Sequence, residues 1–463
     1  MLPLSWFGTP RQRVLGSPPA WWPAGVYYGW ALVGALGVTA TVSYGVLTYA
    51  FAVFIEPMSR ELGWSKATIT GGFSLASLVM GLAAIPVGRW VDRHGSRGVM
   101  TAGAIVATLM LVGWSRVQSV AAFYAVWTVL GVAMAAVLYE PAFAAIATWF
   151  RLRRGRALTL LTFMGGFASV LFVPLATWLV AAHGWREALL WLAGLYAPLT
   201  ILPHALVLRR RPEDVGLSPD GAAGGPVGSD RAAEEPSRPA RGAVRSRSFR
   251  RLAVAFAFSS LTTTTVSVHL VPLLLERGYD AAFAGAAMGL LGLMALPGRL
   301  IFTPLGSRWP RAGVTASIFG LQALGCLALL ATRATSAVWV FVLLFGAGFG
   351  AITPARAALV TELYGPTHYG KIAGVLAFVV SLARAAAPVG ASWVYAVGGG
   401  PQHGYDVVVG VLFVLCLGAG TAVFLAGDGE SVAIYGKPVR HPEPKPWAKR
   451  RGSEGLPWKG AMP

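Results

Sequence analysis

Apolar runs of about 18 residues or more recur along almost the whole chain, and each is long enough to cross a bilayer. In lipid, backbone N–H and C=O groups have no water to bond. Runs of this length therefore fold as helices that satisfy their own backbone. Twelve runs can be counted, at 28–54, 68–88, 99–114, 121–149, 157–181, 188–208, 252–275, 282–305, 312–332, 337–363, 372–397 and 405–426. The chain reads as an all-α membrane protein of twelve transmembrane helices, six on each side of a polar insert. Its segments are an N-terminal stretch (1–27), a first six-helix bundle (28–208), a flexible linker (209–250), a second bundle (251–427) and a disordered tail (428–463). Linker and tail are set apart by Gly, Pro, Ser and charge in place of apolar runs.

The net charge of +19 raises the question of nucleic acid. The basic residues answer it, because they collect in alternate loops between spans. Arg93 and Arg97, Arg151 to Arg156, Arg209 to Arg251, Arg308 and Arg311, Lys371, and Lys445 to Arg451 fall on one side. The other side holds Arg116, Arg186, Arg277 and Arg333. The positive-inside rule makes the first side, with both termini, cytoplasmic, and excludes nucleic acid as a partner. Arg11 and Arg13 precede the first run, and Trp21 and Trp22 suit an interfacial anchor. Cys326 and Cys416 both lie in apolar runs, so no disulfide framework or metal site is indicated. No cofactor motif is present.

One short stretch stands out against this background. Residues 88–97, Gly-Arg-Trp-Val-Asp-Arg-His-Gly-Ser-Arg, carry four charges in a chain where only 12% of residues are charged. Gly88 and Gly95 permit a tight turn and close helix approach. Asp92 can cap a helix N-terminus or pair with arginine. Arg93 and Arg97 suit a cytoplasmic turn. The two halves also repeat. Tyr139-Glu140-Pro141 and Pro354-Ala355-Arg356 occupy matching places, as do the stretches beginning Gly155 and Gly370, both at an offset of 215 residues.

The pattern G-x-x-x-D-R-x-G-x-R between the second and third of twelve spans resembles the major facilitator superfamily of secondary transporters. Within it, the chain is most similar to the monocarboxylate transporters and the bacterial oxalate/formate antiporter group. That likeness rests on Gly29-Trp30-Ala31, Ser43-Tyr44, Arg299, the 346–350 run Gly-Ala-Gly-Phe-Gly, Gly365-Pro366, the 153–158 run and Gly184-Trp185-Arg186. The resemblance implies two bundles that rock about a midplane site, with 88–97 as part of a conformational lock. Two departures stand out. The family's helix 1 lysine is Thr48 here, and its helix 8 aspartate is Ala295.

Ionisable groups inside spans are functional candidates. Arg356, Arg299 and Arg384, with Tyr44, Tyr139 and His269, are assigned to substrate binding, and Glu140 to proton coupling. Gly88, Asp92, Arg93, Gly95 and Arg97 are assigned to the lock. A guanidinium can grip a carboxylate with two parallel charge-assisted hydrogen bonds. Glu140 and Arg356, one residue apart in repeat register, could face each other. They serve equally well as a structural ion pair. Arg299 and Arg384 could instead snorkel to headgroups.

The function expected is proton-coupled secondary transport of a small organic anion, most simply a monocarboxylate, by a monomer in the cell membrane. Drug efflux by proton antiport and anion/anion exchange are the alternatives. No nucleophile constellation or nucleotide loop suggests an enzyme. The orientation is directly testable. Reporter fusions at Gly225 and in the tail should read cytoplasmic and one at Gly400 external; an external tail would contradict the twelve-span order.

Overall fold

The computed structural model describes residues 27–221, 239–306 and 309–428. Residues 1–26, the middle of the 209–250 segment, Arg308 and the tail beyond Asp428 lie outside the described residues. Among the described residues there are fifteen α-helices and no strand. They are α1 (Gly29–Tyr44), α2 (Phe51–Leu62), α3 (Lys66–His94), α4 (Ser96–Ser115), α5 (Val120–Val137), α6 (Tyr139–Trp149), α7 (Arg154–Gly166) and α8 (Ala168–Leu206), then α9 (Ala240–Arg245), α10 (Arg247–Glu276), α11 (Ala281–Leu305), α12 (Arg311–Ala331), α13 (Thr335–Tyr364), α14 (Tyr369–Val397) and α15 (Gly404–Asp428).

Eleven stretches are long and apolar enough to cross a membrane, one of them the 53-residue Arg154–Leu206. That one is too long for a single crossing, and it turns back at Gly184 (φ 77°, ψ 165°). Gly95 and Gly365 adopt the same positive-φ geometry between antiparallel helices. Contacts at both ends of the stretch that follows Gly184 hold it in place. Trp185 and Arg186 bond Glu61 at the end of α2, and Arg186 also donates to the carbonyls of Ser115 and Val117. At the other end, Tyr28 donates to the Val207 carbonyl at 2.8 Å. The eleven stretches are therefore consistent with twelve crossings.

Two spans are broken where the sequence predicts continuous helix. The fourth divides at Leu138, which is extended (φ −82°, ψ −162°). Pro141 accounts for the break: it has no N–H to donate to Val137, and its ring would strike that carbonyl. The first span passes through a π-helical turn, Gly45–Tyr49, and continues as α2. The described ends of the 209–250 segment are also structured. Asp220 accepts backbone N–H groups from Arg151, Leu152 and Arg153 at 2.7–3.1 Å, and α9 packs against α10 and α14.

The repeat extends to helix starts. Lys66 and Ala281, Ser96 and Arg311, Val120 and Thr335, and Arg154 and Tyr369 begin α3/α11, α4/α12, α5/α13 and α7/α14, each at the 215-residue offset. The first eight helices pack on one another, as do α10 to α15. The halves meet through α3 with α14 and α7 with α11 and α13.

The apolar cores show which end is shut. One core holds Tyr28, Phe150 and Leu158 from the first half together with Phe249, Tyr364 and Ile372 from the second. The other two cores each belong to one half, spanning Val42 to Tyr196 and Val266 to Cys416. The halves thus share a core at the end carrying Asp92 and keep separate cores at the opposite end. Glycine makes the shared end close. A Cβ on Gly88 would overlap the Gly370 carbonyl, and one on Gly374 the Ala84 carbonyl. Gly88→Val should therefore push α3 from α14 while the helices still insert. A cysteine at Ala144, beside Gly88 in a small void, should then react faster with an impermeant maleimide added at the Asp92 face. An unchanged labelling rate would contradict this packing.

Candidate functional site

The break at Leu138 begins α6 with Tyr139 and Glu140, and Glu140 sits in its first turn. A carboxylate there is favoured by the unpaired N–H groups and the helix dipole. Arg356 approaches from α13 and forms an ion pair with Glu140 between the two halves. Their side chains retain 16% and 23% exposure for Arg356 and Glu140, so the pair borders space and is not sealed in packing.

That space is a cavity lined by α1, α3, α5, α6, α13 and α14. Arg384 projects into it from α14, within electrostatic reach of Tyr44, Arg356 and Glu140. Among the described residues its guanidinium forms no ion pair or hydrogen bond. Tyr44 and Tyr139 form one wall, ring centroids 4.5 Å apart, and Tyr139 stacks on Phe143 at 5.1 Å. Met80, Met134, Leu138 and Val380 also line it. The charged groups lining the cavity are two arginines and one glutamate, a surplus of one positive charge.

A smaller void continues from this cavity toward the Asp92 end, sharing Ala84 and Glu140 with it and ending at Gly88, Val91 and Gly370. Glu140 therefore lies between the cavity and the closed end. There Asp92 accepts hydrogen bonds from the backbone N–H groups of Gly370 (2.7 Å) and Lys371 (2.9 Å). A carboxylate of one half thus caps the first turn of α14 in the other. Gly95 packs against Arg210, and Arg93 and Arg97 are exposed.

Two residues grouped with the site by sequence lie elsewhere. Arg299 donates to the carbonyls of Gly350 (3.2 Å) on α13 and Thr162 on α7. It joins α11 to both halves and does not line the cavity. His269 is 3.4 Å from the Tyr405 hydroxyl and 3.4 Å from the Pro388 carbonyl, in a separate apolar pocket of the second half. Conversely, Met80 and Ser381 line the cavity and carry no sequence signal of charge. The α3–α14 contact has a signal of another kind: Gly81, Ala84 and Gly88 on α3, and Gly370, Gly374, Ala377 and Ser381 on α14, recur at helical spacing. Such stripes mark close helix pairs in membranes.

Comparison with known proteins agrees with this architecture. The family model of the Major Facilitator Superfamily matches residues 33–388. Monocarboxylate transporter 13 of Rattus norvegicus is 26% identical over 341 residues, 73% of this chain and 76% of that protein. The oxalate:formate antiporter of Oxalobacter formigenes is 28% identical over 165 residues, 35% of this chain and 38% of that protein. Among solved structures, the human organic anion transporter MFSD10 (TETRAN) aligns with a TM-score of 0.60 at 18% identity, over 89% of this chain and all of that one. A bacterial homologue of the iron transporter ferroportin in an outward-facing state gives 0.66 at 15% identity, over 87% and 99%. These two likenesses concern the fold alone. With a family model matched over most of its length, and helices, repeat and inter-half contacts in agreement, the chain belongs to the major facilitator superfamily of membrane transporters and is not an enzyme.

Proposed function

We propose that the protein is a secondary active transporter of a small organic anion, coupled to protons. The observation that carries this reading is Arg384, a guanidinium open to the central cavity with no acidic partner. A guanidinium with no carboxylate partner can grip an incoming anion with two parallel charge-assisted hydrogen bonds. Arg384, not Arg356, is therefore assigned as the primary anion contact. The similarity to monocarboxylate transporters and to an oxalate:formate antiporter supports the same chemistry. A cationic drug would meet a like charge, which disfavours drug efflux.

The mechanism follows from the two ends. With the Asp92 end closed, an anion enters from the opposite end and pairs with Arg384. Opening the Asp92 end requires the Asp92–α14 cap, the Gly88–Gly370 packing and the Glu140–Arg356 pair to separate. Pulling a partly buried pair apart leaves two charges without partners. A proton on Glu140 removes one of them, and the released Arg356 can then help hold the anion. Proton and anion thus cross together. Each chain contains one complete cavity, so the monomer is the working unit. The arginine-rich Asp92 end faces the cytoplasm of the cell membrane.

The test uses purified protein in liposomes. Arg384→Gln removes a charge-assisted hydrogen bond of about 1.5–3 kcal/mol, and anion affinity should fall by roughly one to two decades. Arg384→Lys should restore only part of it, because a point charge lacks the planar fork. Glu140→Gln should keep counterflow but lose accumulation driven by a pH gradient. Full pH-driven uptake by Glu140→Gln/Arg356→Gln would show the pair to be structural only. Wild-type anion affinity in Arg384→Gln would remove the anion reading.

A further inference from the structure

We infer, resting on the proton-coupling role assigned to Glu140 above, that Asp220 in the segment joining the halves is a positioning residue for Glu140. It clamps the far end of α6 and so sets the pH at which Glu140 takes up its proton. One short helix connects the two residues.

α6 is a separate rod. It is 11 residues long, roughly 16 Å, and the extended Leu138 divides it from α5. Every residue from Pro141 to Ala147 is buried. Ala142, Ala144, Ala145 and Ala147 give much of its flank low relief, so its height depends strongly on its two ends. One end presents Glu140 to Arg356.

The other end, on the Asp92 side, is tied by several bonds. Asp220 accepts the N–H groups of Arg151 (2.8 Å), Leu152 (2.7 Å) and Arg153 (3.1 Å) in the turn that follows α6. The Trp149 indole N–H donates to the Arg209 carbonyl at 3.3 Å, and Tyr27 donates to the Trp149 carbonyl at 2.8 Å. Arg154 donates to the carbonyls of Phe150 (2.8 Å) and Ala147 (3.1 Å). Two of these ties, Arg209 and Asp220, come from the segment between the halves. That segment is folded where it docks: Asp214 accepts the Arg211 N–H at 3.1 Å, and the Leu217 N–H bonds the Pro212 carbonyl at 3.0 Å. Asp220 itself has φ 61°, the only non-glycine residue with positive φ among the described residues. Aspartate tolerates that region better than most residues, and its three bonds hold it there.

The charge on Asp220 matters because a carboxylate accepts hydrogen bonds about twice as strong as those of a neutral amide. Asparagine at 220 would also turn an NH2 donor toward three donors. The clamp then loosens, α6 shifts along its axis, and Glu140 meets Arg356 for less of the time. The groups that face Glu140 are Arg356 from α13, Arg384 and Tyr369 from α14, and Tyr44 from α1, while α3 presents Ala84 and Gly88. Of these, Arg356 is the one in ion-pair contact, and an adjacent cation favours the charged carboxylate. Less contact with Arg356 therefore moves protonation of Glu140 to higher pH.

Infrared titration of the whole protein in lipid, between about pH 4 and 9, reads this without any substrate. The carboxyl band missing from Glu140→Gln identifies Glu140. Asp220→Asn should raise the midpoint of that band by about half a unit or more, and Asp220→Glu, which keeps the carboxylate, should lie closer to the wild type. Tyr27→Phe, which removes one tie and keeps the ring, should move the midpoint the same way by less, and it decides the matter where Asp220→Asn does not assemble. Arg251→Gln removes a 2.7 Å bond to the Leu425 carbonyl, away from α6, and should leave the midpoint in place. An unchanged or lowered midpoint in the clamp variants, or an equal rise in Arg251→Gln, would overturn the inference and leave the role of Glu140 standing. A wild type in which Glu140 does not titrate at all would overturn the proton-coupling reading with it.

Discussion

The closed end of this transporter depends on one carboxylate. Asp92, at the end of α3, accepts the first two N–H groups that α14 presents after its initial residue. Those groups have no partner within their own helix, so the bond joins an unmet need in one half to a charge in the other. It forms only because Gly88 and Gly370 let the two backbones touch. The consequence spreads outward. With α3 against α14, the apolar residues around Phe150, Tyr364 and Ile372 merge into one core, while the opposite ends of the halves keep separate cores.

Glu140 links that closure to the cavity. It borders both the cavity and the void that ends at Gly88, and it pairs across the halves with Arg356. The electrostatic state of the cavity and the separation of the halves therefore share one side chain. Arg384 stands apart from this pair and gives the cavity its surplus charge. Two arginines that look alike in sequence thus differ in kind: one is engaged by a carboxylate of the protein, and the other has no such partner among the described residues. Arg299 is different again, since its donors are spent on carbonyls of α7 and α13 and its role is to hold helices together.

Much of the architecture was legible in the sequence because lipid imposes it. Apolar length gave the crossings, and the 215-residue offset between Glu140-Pro141 and Ala355-Arg356 anticipated a meeting of the two halves. The Asp92 stretch announced itself by charge density. What was not legible depends on depth and rotation. Whether Arg299, Arg356 or Arg384 reaches the cavity is set by which carbonyls and carboxylates neighbouring helices offer at that height. The break at Leu138 could have been read from Pro141, and the α3–α14 contact from its small residues. His269 sits in a run of threonines that looks cavity-lining, yet α10 turns it toward Tyr405 and Pro388.

The central claim is that an anion binds Arg384 while Glu140 and Arg356 remain paired. Locating a small brominated carboxylate in the protein by cryo-electron microscopy or anomalous diffraction tests it most directly. The account predicts the carboxylate in ion-pair contact with Arg384 and the Glu140–Arg356 pair intact. A carboxylate seated on Arg356 with Glu140 displaced, or one bound at Arg299 or His269, would contradict it.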